Sequence, residues 1–381
     1  MTKSIHFSEE HDLLRSQIRR FIAEEVEPNG EAWESDGMTP RHIIEKMGEL
    51  GFLGIQYDEK YGGAGLNVLA SVVFAEELGR STFGGFAITA LVHTDMASPH
   101  LANAGNDAQK ARYMPDIIAG KMVTAVAVTE AEAGSDVAGM KTKAVKDGDY
   151  WVINGSKMFI TNGVYGDLYF VAAKTDANAK GSRGVTIFIV EKGEKGFSVG
   201  RTLDKMGWRS SDTAELFFDD VRIHQDNILG EVNKGFYAIM KNFQNERTVL
   251  GAQALGEAEK AIELTLEYVK ERKAFGATLW DKQVIRQRLS MRQAEVAAGQ
   301  QLLYHCAWLD STGQDCVKEV SMVKAYCGEL VNKVMYDCQQ FQGGSGYMRG
   351  TAIERMVRDA RIQSIGGGAT EVMLEEIAKR S

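Results

Sequence analysis

The chain has 381 residues, 44% of them hydrophobic, and a formal net charge of −8, which is room for two or three domains with substantial cores. An acidic balance without any basic block argues against nucleic acid and against an anionic membrane surface as partners. No apolar run is long enough to cross a bilayer, and the N-terminus, MTKSIHFSEEHDLLR, lacks the apolar core of a signal peptide and is too acidic for a mitochondrial transit peptide; a cytoplasmic protein, or a mature form already stripped of its targeting segment, is expected.

Residues 1–121 read as a helical domain. Phe7 to Val26 has acidic residues early and an apolar period through Leu13, Leu14, Ile18, Phe21 and Ile22, with Pro28 to stop it. Pro40 to Leu50 is a short helix ended by Gly51, the YGGAG loop follows, and Asn67 to Leu78 is helical again. Thr82 to Ala104 is apolar and rich in small residues (Gly84, Gly85, Ala87, Ala90, Ala97), the composition of close helix packing. Asp107 to Ala119 completes the set.

From 122 to 231 the period shortens to that of strands. Val123 to Thr129 is a β-branched run, and a small-residue loop, Glu130 to Asp136, follows it. A hairpin is expected next: Tyr150 to Ile153, a two-residue turn at Asn154-Gly155, and a return over Ser156 to Thr161. Strands over Leu168–Ala173, Val185–Val190, Phe197–Leu203 and Ala214–Val221, parted by turns such as Lys180–Gly184, suggest a small β-barrel or sandwich. From 232 to 381 the chain is helical over Lys234–Lys273, Gln283–Leu309, Asp315–Phe341 and Thr370–Lys379, a four-helix bundle with glycine-rich connections at Gly343, Gly344, Gly346 and Gly366–Gly368. The expected fold class is therefore α+β and multidomain: N-terminal helices, a middle β domain and a C-terminal bundle. Cys316, Cys327 and Cys338 recur every eleven residues, roughly 16 Å apart on a helix, too far for one ion to bridge; with Cys306 they read as buried free thiols.

Chemistry concentrates in the middle region. A flat aromatic ligand could stack on Phe159 and take a hydrogen bond from Thr161, and bare backbone at Gly134 and Ser135 could approach a polar group closely. The wording VTEAEAGSD, then KMFITNG, resembles the flavin-binding region of the acyl-CoA dehydrogenases, and the likeness runs from about Phe7 to the C-terminus, through MGWRSSDTAELFFDDVRI, and is strongest to long-chain and isovaleryl-type members. The resemblance implies α,β-dehydrogenation of an acyl-CoA thioester, with FAD as the redox cofactor and an electron-transferring flavoprotein as acceptor. It implies that Val126, Val128, Thr129, Gly134, Ser135, Phe159 and Thr161 hold the flavin, with Ser135 also near the pantetheine and Phe159 standing where many relatives have tryptophan. Arg272, Lys273, Ala274, Phe275 and Gln283, with Gln340, Gly343 and Gly344, resemble the segments that reach a neighbouring subunit's FAD, which implies a homotetramer built as a dimer of dimers; Thr370 and Glu371 match the last flavin segment. In this light the small residues of Thr82–Ala104 have a second reading, as room for an acyl chain.

One departure from the family's pattern matters. Many relatives carry the catalytic glutamate in a Y-E-G-T loop, and here that loop reads Gly366-Gly367-Gly368-Ala369. Long-chain and isovaleryl-type members place the base on a helix, immediately before an arginine, and this chain has Phe243-Gln244-Asn245-Glu246-Arg247 there. Glu246 is the expected base, with Phe243, Asn245, Arg247, Gly367 and Gly368 around the substrate. An oxygen-using acyl-CoA oxidase and a non-catalytic acyl-CoA- or flavin-binding protein are the alternatives, and the acyl group is left open among medium-to-long, branched and citronellyl-type chains.

Overall fold

The computed structural model describes residues 5–176, 178–179 and 183–381, so Lys180 to Ser182 of the expected turn lie outside the described residues. The N-terminal helices are α1 (Glu9–Phe21), α2 (Gly30–Asp36), α3 (Arg41–Glu49), α4 (Val68–Gly79), α5 (Gly84–Leu91), α6 (Ser98–Ala104) and α7 (Asp107–Ile118). Asn106 starts α7 with a reciprocal cap: its side chain accepts from Gln109 N at 2.9 Å and the Gln109 side chain accepts from Asn106 N at 3.0 Å. Every residue of α4 is buried, as a helix apolar on all sides must be. α4 crosses α8 (Gly235–Glu271) at two glycines. A Cβ at Gly79 would lie 2.2 Å from Gln253 O, and one at Gly256 would lie 2.0 Å from Glu76 O. Gly256→Ala is therefore expected to destabilise the protein by about 1–3 kcal/mol, the usual cost of overpacking, measured as a lower denaturant midpoint; an unchanged midpoint would contradict this packing.

The small-residue stretch Thr82–Ala104 is helical in two pieces, α5 and α6, parted by a π-helical segment, Val92–Ala97, with Pro99 at the start of the second. Pro99 has no N–H to give the Asp95 carbonyl. The Asn245 side chain of α8 donates to that oxygen at 2.8 Å, and Asn242 donates to Met96 O at 2.8 Å. The glycines at the start of α5 leave no space for an acyl chain. A Cβ on Gly84 would meet Trp208 at 2.8 Å, and one on Gly85 would meet Ser210 Oγ at 2.5 Å. Close packing against the 208–211 loop is the correct reading of these two residues, and Ala87 and Ala90 are core residues.

The middle region is one hydrogen-bonded sheet. Its strands are β1 (Thr124–Ala127), β2 (Lys143–Asp147), β3 (Tyr150–Thr161), β4 (Leu168–Lys174), β5 (Val185–Glu191), β6 (Phe197–Thr202), β7 (Thr213–His224) and β8 (Ile228–Leu229). The order is β6-β7-β3-β2-β4-β5-β8, with β1 parallel to β4. The two halves join through a single pair, Lys143 with Lys174, and fold onto each other: Trp151 of β3 packs on Phe188 of β5, and Tyr169 of β4 packs on Phe197 of β6. The outer face of β4 and β5 (Leu168, Phe170, Ile187, Ile189) packs on Tyr113, Met114 and Ile117 of α7 and Ile239 of α8, which is why these strands read as unbroken apolar runs.

The hairpin expected at Asn154-Gly155 is not formed there. β3 runs straight through both residues, with a register shift between Ile153 and Gly155. Asn154 is paired with Asp220 of β7, donating to its carboxylate at 2.9 Å and accepting from its N–H at 3.0 Å. Gly155, at φ +147°, lets Thr142 approach to where a Cβ would lie 2.5 Å from its Oγ1. The turn is made instead at Asp147-Gly148-Asp149, with Gly148 at φ +61°, joining β3 to β2, a strand absent from the sequence reading. Beyond α8 a small hairpin, β9 (Lys273–Ala274) with β10 (Ala277–Thr278), leads to α9 (Gln283–Ser311), α10 (Val317–Gln342), α11 (Ala352–Ala360) and α12 (Thr370–Ala378). The short helices α2 and α11 are likewise absent from the sequence reading. All four cysteines are free and buried, and among the described residues no helix is long and apolar enough to cross a membrane.

Candidate active site

The end of β1 and the middle of β3 are tied together. Met158 N donates to Thr129 O at 2.9 Å, and the buried Lys157 ammonium donates to Val128 O at 2.9 Å and to Glu130 Oε1 at 2.8 Å. Burial pulls the Lys157 pKa down to about 8 against the attraction of Glu130. Burial acts to raise the Glu130 pKa, but Lys157 and hydrogen bonds from Thr142 and Lys141 outweigh it and hold the carboxyl below its ordinary value. These links bring Val126, Val128, Thr129, Phe159 and Thr161 into one region. The register slips between Lys157 and Ile160, putting Phe159 at φ +61° and leaving the residue 63% exposed. A strained backbone holding an apolar ring in water is a feature that a flat aromatic partner would offset. Gly134 and Ser135 are exposed on the neighbouring loop, and nothing lies within 4 Å of where a Gly134 Cβ would stand. These residues fit an isoalloxazine ring and its polar edge.

Glu246 lies in the N-terminal third of α8. Burial raises its carboxyl pKa to about 7, against the opposing pull of Arg247 and Lys324. A Cβ at Gly367 would lie 3.3 Å from Glu246 Oε1 and 2.2 Å from Leu250 Cδ1. The glycine loop thus comes within one atom of the helix-borne carboxylate. Gly367 and Gly368 adopt φ +61° and +100°, conformations glycine enters freely. Arg247 makes no ion pair with Glu246; its guanidinium sits 5.6 Å from the Phe243 ring centroid, and its Nε has no partner among the described residues. The Asn245 amide, expected near the substrate, is held by Asp95 O.

The remaining expected residues fall in two places. Thr370 starts α12 and donates to Glu329 Oε1 at 2.9 Å, while Glu371 is exposed. Arg272, Phe275, Gln283, Gln340, Gly343 and Gly344 gather at the opposite end of α8, where Arg288 and Arg292 of α9 both bind Asp337 of α10. Phe275 is 95% exposed at φ +53°, at the tip of the small hairpin. Arg272 lies roughly 40 Å along α8 from Glu246, so the structure does not bring this group to the Glu246 site within one chain.

Lys324 on α10 is the residue the sequence reading missed. It is 2% exposed and reaches Gln363 O at 2.6 Å and Gly368 O at 3.1 Å. The available signal is a lone lysine on the apolar stripe of Val320, Val323, Cys327 and Val331.

Models of the acyl-CoA dehydrogenase N-terminal, middle and C-terminal domains match residues 8–121, 125–221 and 233–381. The mitochondrial long-chain specific acyl-CoA dehydrogenase of Mus musculus is 41% identical over 98% of this chain and 87% of its own length. The mitochondrial isovaleryl-CoA dehydrogenase of Pongo abelii is 37% identical over 96% of this chain and 87% of its own. The crystal structure of an acyl-CoA dehydrogenase from Geobacillus kaustophilus is similar to this fold at a TM-score of 0.95, with 40% identity and 99% of each chain covered.

Proposed function

Since the chain belongs to the acyl-CoA dehydrogenase family, FAD-dependent oxidoreductases acting on acyl-CoA thioesters, we propose that Glu246 is the base that removes the α-proton. The observation that carries this is the position of its carboxyl, beside Gly367 and with a pKa near 7. A base titrating near the working pH is ionised often enough to act and still basic enough to take the proton. As the proton leaves, charge develops on the thioester oxygen, and the N–H of Gly367 is the donor this chain offers there. FAD, when bound, would supply the acceptor for the β-hydrogen and its electron pair, the chemistry that yields a trans-2-enoyl-CoA. Val126, Val128, Thr129, Gly134, Ser135, Phe159 and Thr161 would hold it, with Thr370 and Glu371 beside them. Phe243, Arg247 and Gly368 would flank the substrate.

Medium-to-long or branched acyl groups are the expected substrates, supported by the long-chain and isovaleryl names of the relatives. An electron-transferring flavoprotein as acceptor is supported by a structural neighbour, 34% identical, whose title concerns the electron transferring flavoprotein of Acidaminococcus fermentans. Butyryl-, octanoyl-, palmitoyl-, isovaleryl- and citronellyl-CoA, added anaerobically, test the reading. Bleaching of the flavin by at least one of the last four in preference to butyryl-CoA is the expected result. No bleaching by any of them would indicate a non-catalytic binder, and stoichiometric hydrogen peroxide on aerobic turnover an oxidase.

A dimer of dimers accounts for the second group of residues, since Arg272, Phe275, Gln283, Gln340, Gly343 and Gly344 would reach the adenosine half of a partner copy's FAD. Phe275→Asp is expected to lower both tetramer and flavin content at equal protein concentration. Sedimentation of a flavin-saturated wild-type monomer would contradict this assembly.

A further inference from the structure

One stripe of α10 collects the backbone that follows α11. Lys324, Gly328 and Asn332 are four residues apart and share a face. Asn332 Nδ2 donates to Ala360 O at 3.2 Å, and the absence of a side chain at Gly328 lets Gln363 O come to where a Cβ would lie 2.6 Å from it. Lys324 then grips that same Gln363 oxygen and, beyond the glycines, Gly368 O. Its two carbonyl partners bracket Gly366 and Gly367, the stretch that meets Glu246.

We propose that Lys324 is a positioning residue for proton abstraction: its ammonium clamps both ends of the Gln363–Gly368 loop, so that Gly367 faces Glu246, and brings a positive charge to that side of the site. The inference rests on Glu246 being the base. Lys324 is a costly residue to bury, and burial lowers its own pKa to about 8 against the pull of Glu246. A purely structural clamp needs only a donor, which a neutral side chain could supply. The other charged or titratable groups around the pair are Arg247 on α8 and Cys327 and Glu329 on α10, with Glu376 and Arg380 of α12 acting on Arg247. Of these, Arg247 and Lys324 pull the Glu246 pKa down. Removing the Lys324 charge leaves Arg247 alone, so the carboxyl should hold its proton to higher pH.

The test is the pH dependence of anaerobic flavin reduction by dodecanoyl-CoA in the FAD-loaded wild type, Lys324→Met, Lys324→Gln and Glu246→Gln, with a thermal melt of each. Lys324→Gln keeps a donor and loses the charge; Lys324→Met loses both. Both are expected to move the acidic limb, near pH 7 in the wild type, upward by about one unit. Lys324→Met should in addition lose about tenfold in the rate above the limb, through the loosened loop, and Lys324→Gln less. Acidic limbs that stay in place in both variants overturn the inference, whatever the melts show; if one variant fails to load FAD, the other decides. The limb should vanish in Glu246→Gln. Its persistence there would instead sink the assignment of Glu246, which keeps the two failures distinct.

Discussion

Glu246→Gln is expected to keep FAD and acyl-CoA binding and to lose about two to four orders of magnitude in the rate of anaerobic flavin reduction, the range a positioned general base contributes. Glutamine keeps the volume of the side chain and removes its basicity. Glu246 is partly buried, its carboxyl is desolvated, and it makes no ion pair among the described residues, so replacing it breaks no salt bridge and removes a poorly solvated charge. The surrounding turn of α8 should hold, because its anchors, Asn242 on Met96 O and Asn245 on Asp95 O, are untouched. In the wild type the rate should rise with pH through about 7 and level off above it, because only the ionised carboxylate accepts the proton. Near-normal reduction in the glutamine variant would refute the role.

The second large effect is a transplant. Glu246→Gly should abolish rapid reduction, and adding Gly367→Glu to that chain should restore at least about tenfold of it. A side chain starting at 367 begins 3.3 Å from the present position of Glu246 Oε1, so a carboxylate there samples the same volume. Two costs limit the recovery. Glutamate at φ +61° costs roughly 1–2 kcal/mol relative to glycine, and the new Cβ would lie 2.2 Å from Leu250 Cδ1. Leu250→Ala in the same chain should relieve the second and raise the recovery further. A triple variant no faster than Glu246→Gly alone would show that the two positions do not reach the same atom.

Long-period elements were legible in the sequence because a packed helix writes its buried face at every third and fourth residue. α8, α9 and α10 follow the expected ranges closely, and strands β4 to β7 do so too. Short elements were legible only in part: α3 and α12 were anticipated, whereas α2, α11 and β2 were not, because over one or two turns periodicity barely rises above composition. Asn154-Gly155 misled because its turn chemistry is spent on a bulge, where Asn154 answers Asp220 across β3 and β7 and the bare α-carbon of Gly155 makes room for Thr142. Gly84 and Gly85 carried no pocket, since a small residue reports only that something comes close, and here it is the 208–211 loop. That Glu246 would stand beside the glycine loop was legible from a loop that lacks a carboxylate together with a Glu-Arg pair on a helix. Lys324 was not, because the carbonyls it binds come from a loop about forty residues later in the chain, a contact no local pattern records.

Removal of the α-proton can be followed by itself with 3-thiadodecanoyl-CoA, which has α-hydrogens but no β-hydrogen to transfer. Incubated in deuterated buffer with the FAD-loaded protein and followed by proton NMR, its α-hydrogens should exchange at a rate that climbs to a plateau through about pH 7 in the wild type. In Glu246→Gln that exchange should fall to the rate without protein. Exchange in the glutamine variant as fast as in the wild type, with the same pH dependence, would contradict the account.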